Sequence, residues 1–199
     1  MLRRTRPVAI VLLLLLSSAS WAKAHHASTA AQHAPKEETL SLNGAEATVA
    51  FAPNGDATDV VVGAIKGAKS QILLQAYSFT SVPIIQALGM AKDRGVDVEA
   101  ILDRTNASRR YTGATYLMHH AVPIWIDDSV AIAHNKVMII DGDTVITGSF
   151  NFTKAAQQRN AENVMVIRMA PALARAYTRN WQWRRGLSRP YPGPDTLYH

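Results

Sequence analysis

The 199-residue sequence is long enough for one domain with a sizeable core, and it has no cysteine, which excludes disulfides, thiolate metal sites and cysteine nucleophiles. Its formal charge is +6, but the first 24 residues hold four basic residues and no acid, so the remainder carries about +2. Net charge alone therefore does not single out a polyanionic partner.

Arg3, Arg4 and Arg6 precede an apolar run from Val8 to Leu16, and Ala22-Lys23-Ala24 has the small-x-small form of a cleavage site. This pattern predicts a secretory signal peptide over 1–24, with cleavage after Ala24 and export to the periplasm or the medium. A membrane anchor is the alternative, but the run is short for a hydrocarbon core of about 30 Å. Residues 25–47 are Ala-, His- and Ser-rich without an apolar period, and are read as a flexible linker. The pair His25-His26 is read there as solvated rather than metal-binding.

The domain is predicted over 48–185. Thr48 to Phe51 reads as a short strand ending at the turn Pro53-Asn54-Gly55. Thr58 is placed as the cap of a helix from Asp59 to Lys69, with Val61, Val62, Ile65 and Ala68 on one face. Gln71 to Tyr77 is a strand. A helix with Pro83 in its first turn runs to about Arg94 and is ended by Gly95. Val96 to Leu102 is the next strand, followed by a polar loop at Asp103-Arg104-Thr105-Asn106, a helix over about 107–119 and a strand from Val122 to Ile126. This alternation predicts an α/β fold with a mixed, largely parallel β-sheet flanked by helices on both faces.

Asp127-Asp128 reads as a solvated turn, and His119-His120 as a C-terminal cap of the preceding helix. Two apolar runs then flank Asp141-Gly142, a tight hairpin signal. A short helix is expected from about Asn151 to Gln157, a strand from Asn163 to Arg168, and a last helix from Pro171 to about Arg185. Residues 186–199 are Pro- and Gly-rich and are read as an irregular tail. The last helix region carries Arg168, Arg175, Arg179, Arg184, Arg185 and Arg189, a basic face able to follow a phosphate backbone. Trp181 and Trp183 beside it are read as core residues, with base stacking or a lipid interface as the other uses.

The chemistry concentrates at the hairpin's polar ends. Side chains two apart on a strand share a face, so His134 lies with Lys136 and Ser149 with Asn151. Pairing of the strands sets an imidazole and an ammonium beside a hydroxyl and a carboxamide. An imidazole attacks or transfers protons near neutral pH, lysine supplies charge, and the neutral donors serve non-bridging phosphoryl oxygens. Backbone N–H groups at the start of the helix after Asn151 would add an anion-friendly dipole.

The whole spacing is His134-x-Lys136, four residues, Asp141, six residues, Gly148-Ser149-x-Asn151, with Glu162 in Asn160-Ala161-Glu162-Asn163. In this it resembles the phospholipase D superfamily and its HKD motif. Gln75-Ala76-Tyr77-Ser78-Phe79-Thr80 and Arg94-Gly95-Val96-Asp97-Val98 leading to Leu102-Asp103 are similar to the superfamily's small exported bacterial endonucleases, which carry one motif per chain.

The resemblance implies a phosphodiesterase without cofactor or metal, acting on DNA, with RNA as a further candidate substrate. Phospholipid is the alternative substrate. It implies a homodimer, because one chain supplies one His134 and the reaction needs two. One His134 would form a phosphohistidine while the other protonates the leaving oxygen. Lys136, Ser149 and Asn151 would bind the phosphate, and Glu162 would orient the imidazole. Asp141, which the motif groups with the catalytic residues, lies inside a turn and is read as bracing the motif rather than touching phosphate.

Overall fold

The computed structural model describes residues 37–107 and 113–193. The predicted signal peptide, the linker as far as residue 36, positions 108–112 of the predicted third helix and the last six residues of the tail lie outside them. The elements are β1 (Glu46–Ala52), α1 (Ala57–Gly67), β2 (Gln71–Ala76), α2 (Val82–Asp93), β3 (Asp97–Asp103), a 3-10 turn (Arg104–Asn106), α3 (Gly113–His119), β4 (Ile124–Asp127), β5 (Lys136–Ile140), β6 (Thr144–Gly148), α4 (Lys154–Gln158), β7 (Glu162–Arg168), α5 (Pro171–Leu187) and β8 (Arg189–Pro190).

The strands form one sheet in the order β1-β7-β6-β5-β2-β3-β4-β8. Only β2–β3 and β3–β4 pair in parallel, and the other five pairings are antiparallel. The expectation of a largely parallel sheet is thus corrected to a mixed, mostly antiparallel one. The physical reason lies after β4. No crossover helix follows it, so the chain returns through residues 128–135 and enters the free edge of β2 in the opposite direction, with Ala76 facing Lys136. A tight turn and a short excursion then add β6 and β7, each reversed against its neighbour.

Both faces of the central strands are buried, which explains their nearly unbroken apolar runs. On β2, Ile72, Leu74 and Ala76 join a core built with α1, α2 and α3. Leu73 points the other way, with Ile101, Val137, Ile139 and Val145, against Ala174 and Trp181 of α5. The helices therefore cover both faces, as expected. Trp181 is a core residue, and its indole N–H donates to the Leu74 carbonyl at 2.9 Å.

Several local expectations change. Thr58 is not a cap: it lies inside α1, and its N–H and hydroxyl both donate to Gln157 Oε1 at 2.8 Å. The helix α5 continues through Gly186 to Leu187, and Arg189-Pro190 pairs with β4, so the start of the tail is ordered structure. Asp127 is fully buried rather than solvated. Arg184 reaches it from α5, with Nε donating to Oδ2 at 2.7 Å, and Ser129 Oγ donates to Oδ1 at 2.8 Å. Asp128 pairs with Arg189 at 2.6 Å.

A buried ion pair contributes little net stability, but removing one partner strands the other charge. Arg184→Ala should therefore destabilise the fold by about 3–5 kcal/mol in denaturant titration. A loss below about 1 kcal/mol would mean that the pair contributes no more than a solvent-exposed one.

Candidate active site

The parallel strands β2 and β3 end side by side, and the chain enters β5 across those ends. Ligand sites of open α/β sheets form at such carboxyl ends. Two anchors fix the entry. The Ala133 N–H donates to Asp103 Oδ2 at 2.9 Å, and the Tyr77 N–H donates to the Asn135 carbonyl at 2.9 Å. His134 sits between these two held residues. Asp103 is itself buried, and its Oδ1 accepts from the N–H and hydroxyl of Thr105 at 2.9 and 2.8 Å. Asn106 Nδ2 donates to the Tyr77 carbonyl at 2.6 Å. Asp103, Asn106 and Tyr77 are thus supports that the sequence reading left as loop and strand-end residues. The available signal was a buried-type apolar run, Ala100-Ile101-Leu102, closing on a carboxylate.

The β5–β6 hairpin closes with positive φ at Asp141 (53°) and Gly142 (70°), as a type I′ turn requires. At the other end of β6, Gly148 lies against β7. A Cβ there would stand 2.3 Å from the Asn163 carbonyl oxygen, so only glycine fits. This close approach lets Ser149 reach the start of β7. Its hydroxyl donates to Glu162 Oε2 at 2.6 Å and accepts from the Asn163 N–H at 3.1 Å.

His134, Lys136, Gly148, Ser149, Asn151 and Glu162 line one open cleft of about 470 Å³. The structure therefore assembles the predicted site residues except Asp141. That residue ends β5 at the opposite side of the sheet, about 17 Å from Lys136 at 3.4 Å per residue. There it accepts from the N–H groups of Lys69, Ser70 and Gln71 at 2.9, 2.8 and 3.0 Å, and from the Ser70 hydroxyl. Asp141 ties the hairpin to the α1–β2 connection, in keeping with a bracing role.

Within the cleft, the His134 ring packs against Tyr77 with centroids 4.8 Å apart. Lys136 Nζ donates to the His134 carbonyl at 2.7 Å and lies 5.3 Å from the centre of the Tyr77 ring. Burial pushes the Lys136 ammonium below its usual range, and the Glu162 carboxylate opposes that shift. Asn151 Oδ1 is buried without a partner among the described residues, and rotation of the amide would present its NH2 instead.

Three expectations are revised. Glu162 does not hydrogen-bond His134: its oxygens take Ser149 and, at 3.0 Å, Asn160 Nδ2. It therefore acts on the site through Ser149 and through its charge on Lys136. The helix after Asn151 starts only at Lys154, and Thr153 Oγ1 already takes the Ala156 N–H at 3.0 Å, so no helix dipole begins at Asn151. His120 does not cap α3; its Nδ1 contacts Asp93 Oδ1 of α2 at 2.8 Å.

The arginines of the last helix region are largely engaged within the chain. Arg168 bonds Thr48, Arg179 pairs with Glu38, Arg184 with Asp127 and Arg189 with Asp128, while Arg185 stacks 4.1 Å over Trp125. They do not form a free phosphate-tracking face. Among the described residues, no group of three or more His, Cys, Asp or Glu side chains is placed to hold a metal ion.

An imidazole and a desolvated ammonium beside a hydroxyl and a carboxamide define a phosphoryl-transfer site on an α/β scaffold. Residues 61–184 match the family described as cardiolipin synthase, PLD-like domain. A phospholipase D of Rickettsia conorii is 40% identical over 144 residues, 72% of each chain. The structure of Nuc from Salmonella typhimurium, a phospholipase D family member, superposes with a TM-score of 0.71 at 41% identity, covering 74% of this chain and 98% of that one. NucT from Helicobacter pylori, at 20% identity and a TM-score of 0.67, shares the fold and covers 74% of this chain and 99% of that one. The chain belongs to the phospholipase D superfamily and is a phosphodiesterase of that superfamily.

The carboxyl of Asp141 shows how the hairpin responds to pH. Burial alone would raise its pKa, but the Gln71, Ser70 and Lys69 N–H groups and the Ser70 hydroxyl outweigh burial and hold it below the usual 3.8. The unfolded chain therefore takes up this proton first on acidification. The stabilisation is fully present above pH 3.8 and is lost as pH falls through the folded-state value. Asp141→Asn should be less stable than the parent at pH 7, with the gap closing below that range in urea titrations. A gap that stays constant with pH would contradict this reading.

Proposed function

We propose that the protein is an exported, metal-independent, non-specific endonuclease that hydrolyses DNA, with RNA as a further candidate substrate, at a site shared by two subunits. The observation that carries this reading is the composition of the cleft. Its walls are His134, Lys136, Gly148, Ser149, Asn151 and Glu162, and all but the glycine carry a polar or charged group. Such an open polar cleft suits the phosphodiester of a hydrophilic polymer. The overall likeness to the superfamily's small exported endonucleases with one motif per chain supports the same substrate, and the basic, apolar and small-x-small segments over 1–24 support export.

The shared site follows from the count of imidazoles, since His134 is the one histidine lining the cleft. One His134 would attack phosphorus as the bond to the leaving oxygen breaks, and His134 of the partner subunit would give that oxygen its proton. The same partner imidazole would then take a proton from the water that breaks the phosphorus–nitrogen bond. Lys136 and Asn151 of both subunits hold the non-bridging oxygens. Ser149 joins them when its hydroxyl turns from Glu162. Val130 and Ile132, 38% and 55% exposed in the segment leading to His134, offer apolar surface for a twofold contact beside the cleft.

Those two side chains also favour a second reading, hydrolysis of phospholipid, because apolar residues beside a cleft can meet a lipid surface. The name of the Rickettsia relative points the same way.

Incubation of the mature protein with plasmid DNA and with phosphatidylcholine vesicles, both in excess EDTA, separates the readings. The proposal expects DNA degradation, and His134→Ala should lower it by at least about 10³-fold while the fold is retained. Vesicle hydrolysis without DNA cleavage would establish the second reading, and loss of DNA cleavage in EDTA with rescue by a divalent cation would overturn the metal-independent mechanism.

A further inference from the structure

A second pocket, of about 430 Å³, opens at the same end of the sheet as the catalytic cleft. It is lined by residues at the start of α1 and α2 and by α4, among them Asp59, Thr80, Ser81, Val82 and Lys154. Ser81 occupies the N-cap position of α2, a twelve-residue helix, yet its side chain makes no capping bond. It is 3% exposed, borders the pocket, and its hydroxyl has no partner among the described residues. Serine at an N-cap ordinarily bonds the N–H groups of the first turn. Here those groups remain open. Pro83 has no N–H to offer, so Val82 and Ile84 carry the first free donors of the helix.

The pocket therefore combines the positive end of a helix, the pocket-facing hydroxyl of the buried residue Ser81 and the Lys154 ammonium. Asp59 on the same lining offsets the lysine charge, which keeps the affinity modest. The pocket is also coupled to the catalytic cleft. Asn151 lines the cleft, and the next residue, Phe152, accepts at its carbonyl from the Thr80 and Ser81 N–H groups at 2.9 and 2.8 Å. One residue and one hydrogen bond thus separate the two, a distance of about 10 Å from bond lengths.

We propose that the N-terminus of α2, with Ser81 and Lys154, is a second phosphate subsite, which holds a non-reacting phosphodiester of the same strand while His134 works on the scissile one. This rests on the nuclease reading, because a single-phosphate substrate has nothing to place there. The subsite spends its binding on a remote part of the substrate, so it should act on KM of long substrates.

The test compares a 12-nucleotide single strand with bis(4-nitrophenyl) phosphate, which carries one phosphate. Two variants keep the experiment clear of folding effects. Ser81→Asp places a residue favoured at N-caps at this position and sets a carboxylate where the phosphate would sit. Lys154→Ala changes an exposed position. Each should raise KM for the oligonucleotide about three- to tenfold and leave kcat/KM for the small diester unchanged. An unchanged oligonucleotide KM in both variants, with the parent cleaving both substrates, would overturn the subsite alone. Equal losses on both substrates would also overturn it, since the effect would then lie in the catalytic cleft. A parent that cleaves the small diester but neither the oligonucleotide nor plasmid DNA would overturn the nuclease reading, and the subsite with it; cleavage of plasmid DNA but not of the oligonucleotide would overturn the subsite alone.

Discussion

The site depends on how the backbone on either side of His134 is held. A histidine in a free loop would sample many orientations, and catalysis needs the imidazole within a fraction of an ångström of its working position. Here the preceding residue is tied to Asp103 at the end of β3 and the following one to Tyr77 at the end of β2. Gln75 adds a contact of its amide to the Asn135 side chain at 3.2 Å. The parallel strands thus act through their ends, and their buried runs matter because they make those ends rigid. The next residue on the new strand is Lys136, so the ammonium inherits the same precision. Its bond to the His134 carbonyl closes the unit.

The other half of the cleft comes from a different device, the contact of Gly148 with the Asn163 carbonyl. Without a side chain at 148, β6 runs close enough to β7 for Ser149 to meet Glu162. The carboxylate then lies near Lys136, and the cleft acquires opposite charges that partly offset each other. Burial weakens the lysine's hold on its proton and the carboxylate strengthens it.

The hairpin and the site were legible because they rest on local rules. Alternation on a strand, an Asp-Gly turn and the spacing from His134 to Asn151 need no knowledge of the rest of the chain. Strand direction is not local in this way. An apolar run such as Val137-Met138-Ile139-Ile140 reads the same in a parallel or an antiparallel sheet, and the direction of β5 is set by a connection too short for a crossover helix. Long-range pairing hid the rest. Asp127 looks like a turn residue until Arg184 arrives from 57 positions away. Gly186 looks like a helix end, yet α5 continues through it at a cost of about 1 kcal/mol, with Trp181 and Arg184 anchoring the turns before it. Glu162 lines the cleft with the other motif residues, but its partner, Ser149, depends on the approach of two strands that spacing does not reveal.

The proposed shared site turns on stoichiometry, because His134 is the one imidazole among the residues lining the cleft of a single chain. On the proposed dimer, mixing parent and His134→Ala subunits at equal amounts, unfolding them together and refolding them yields both homodimers and the hybrid. A shared site leaves activity only in parent homodimers, about one quarter of the total, whereas independent sites leave about one half. A specific activity near one quarter is the predicted result, and a value near one half would contradict the shared site.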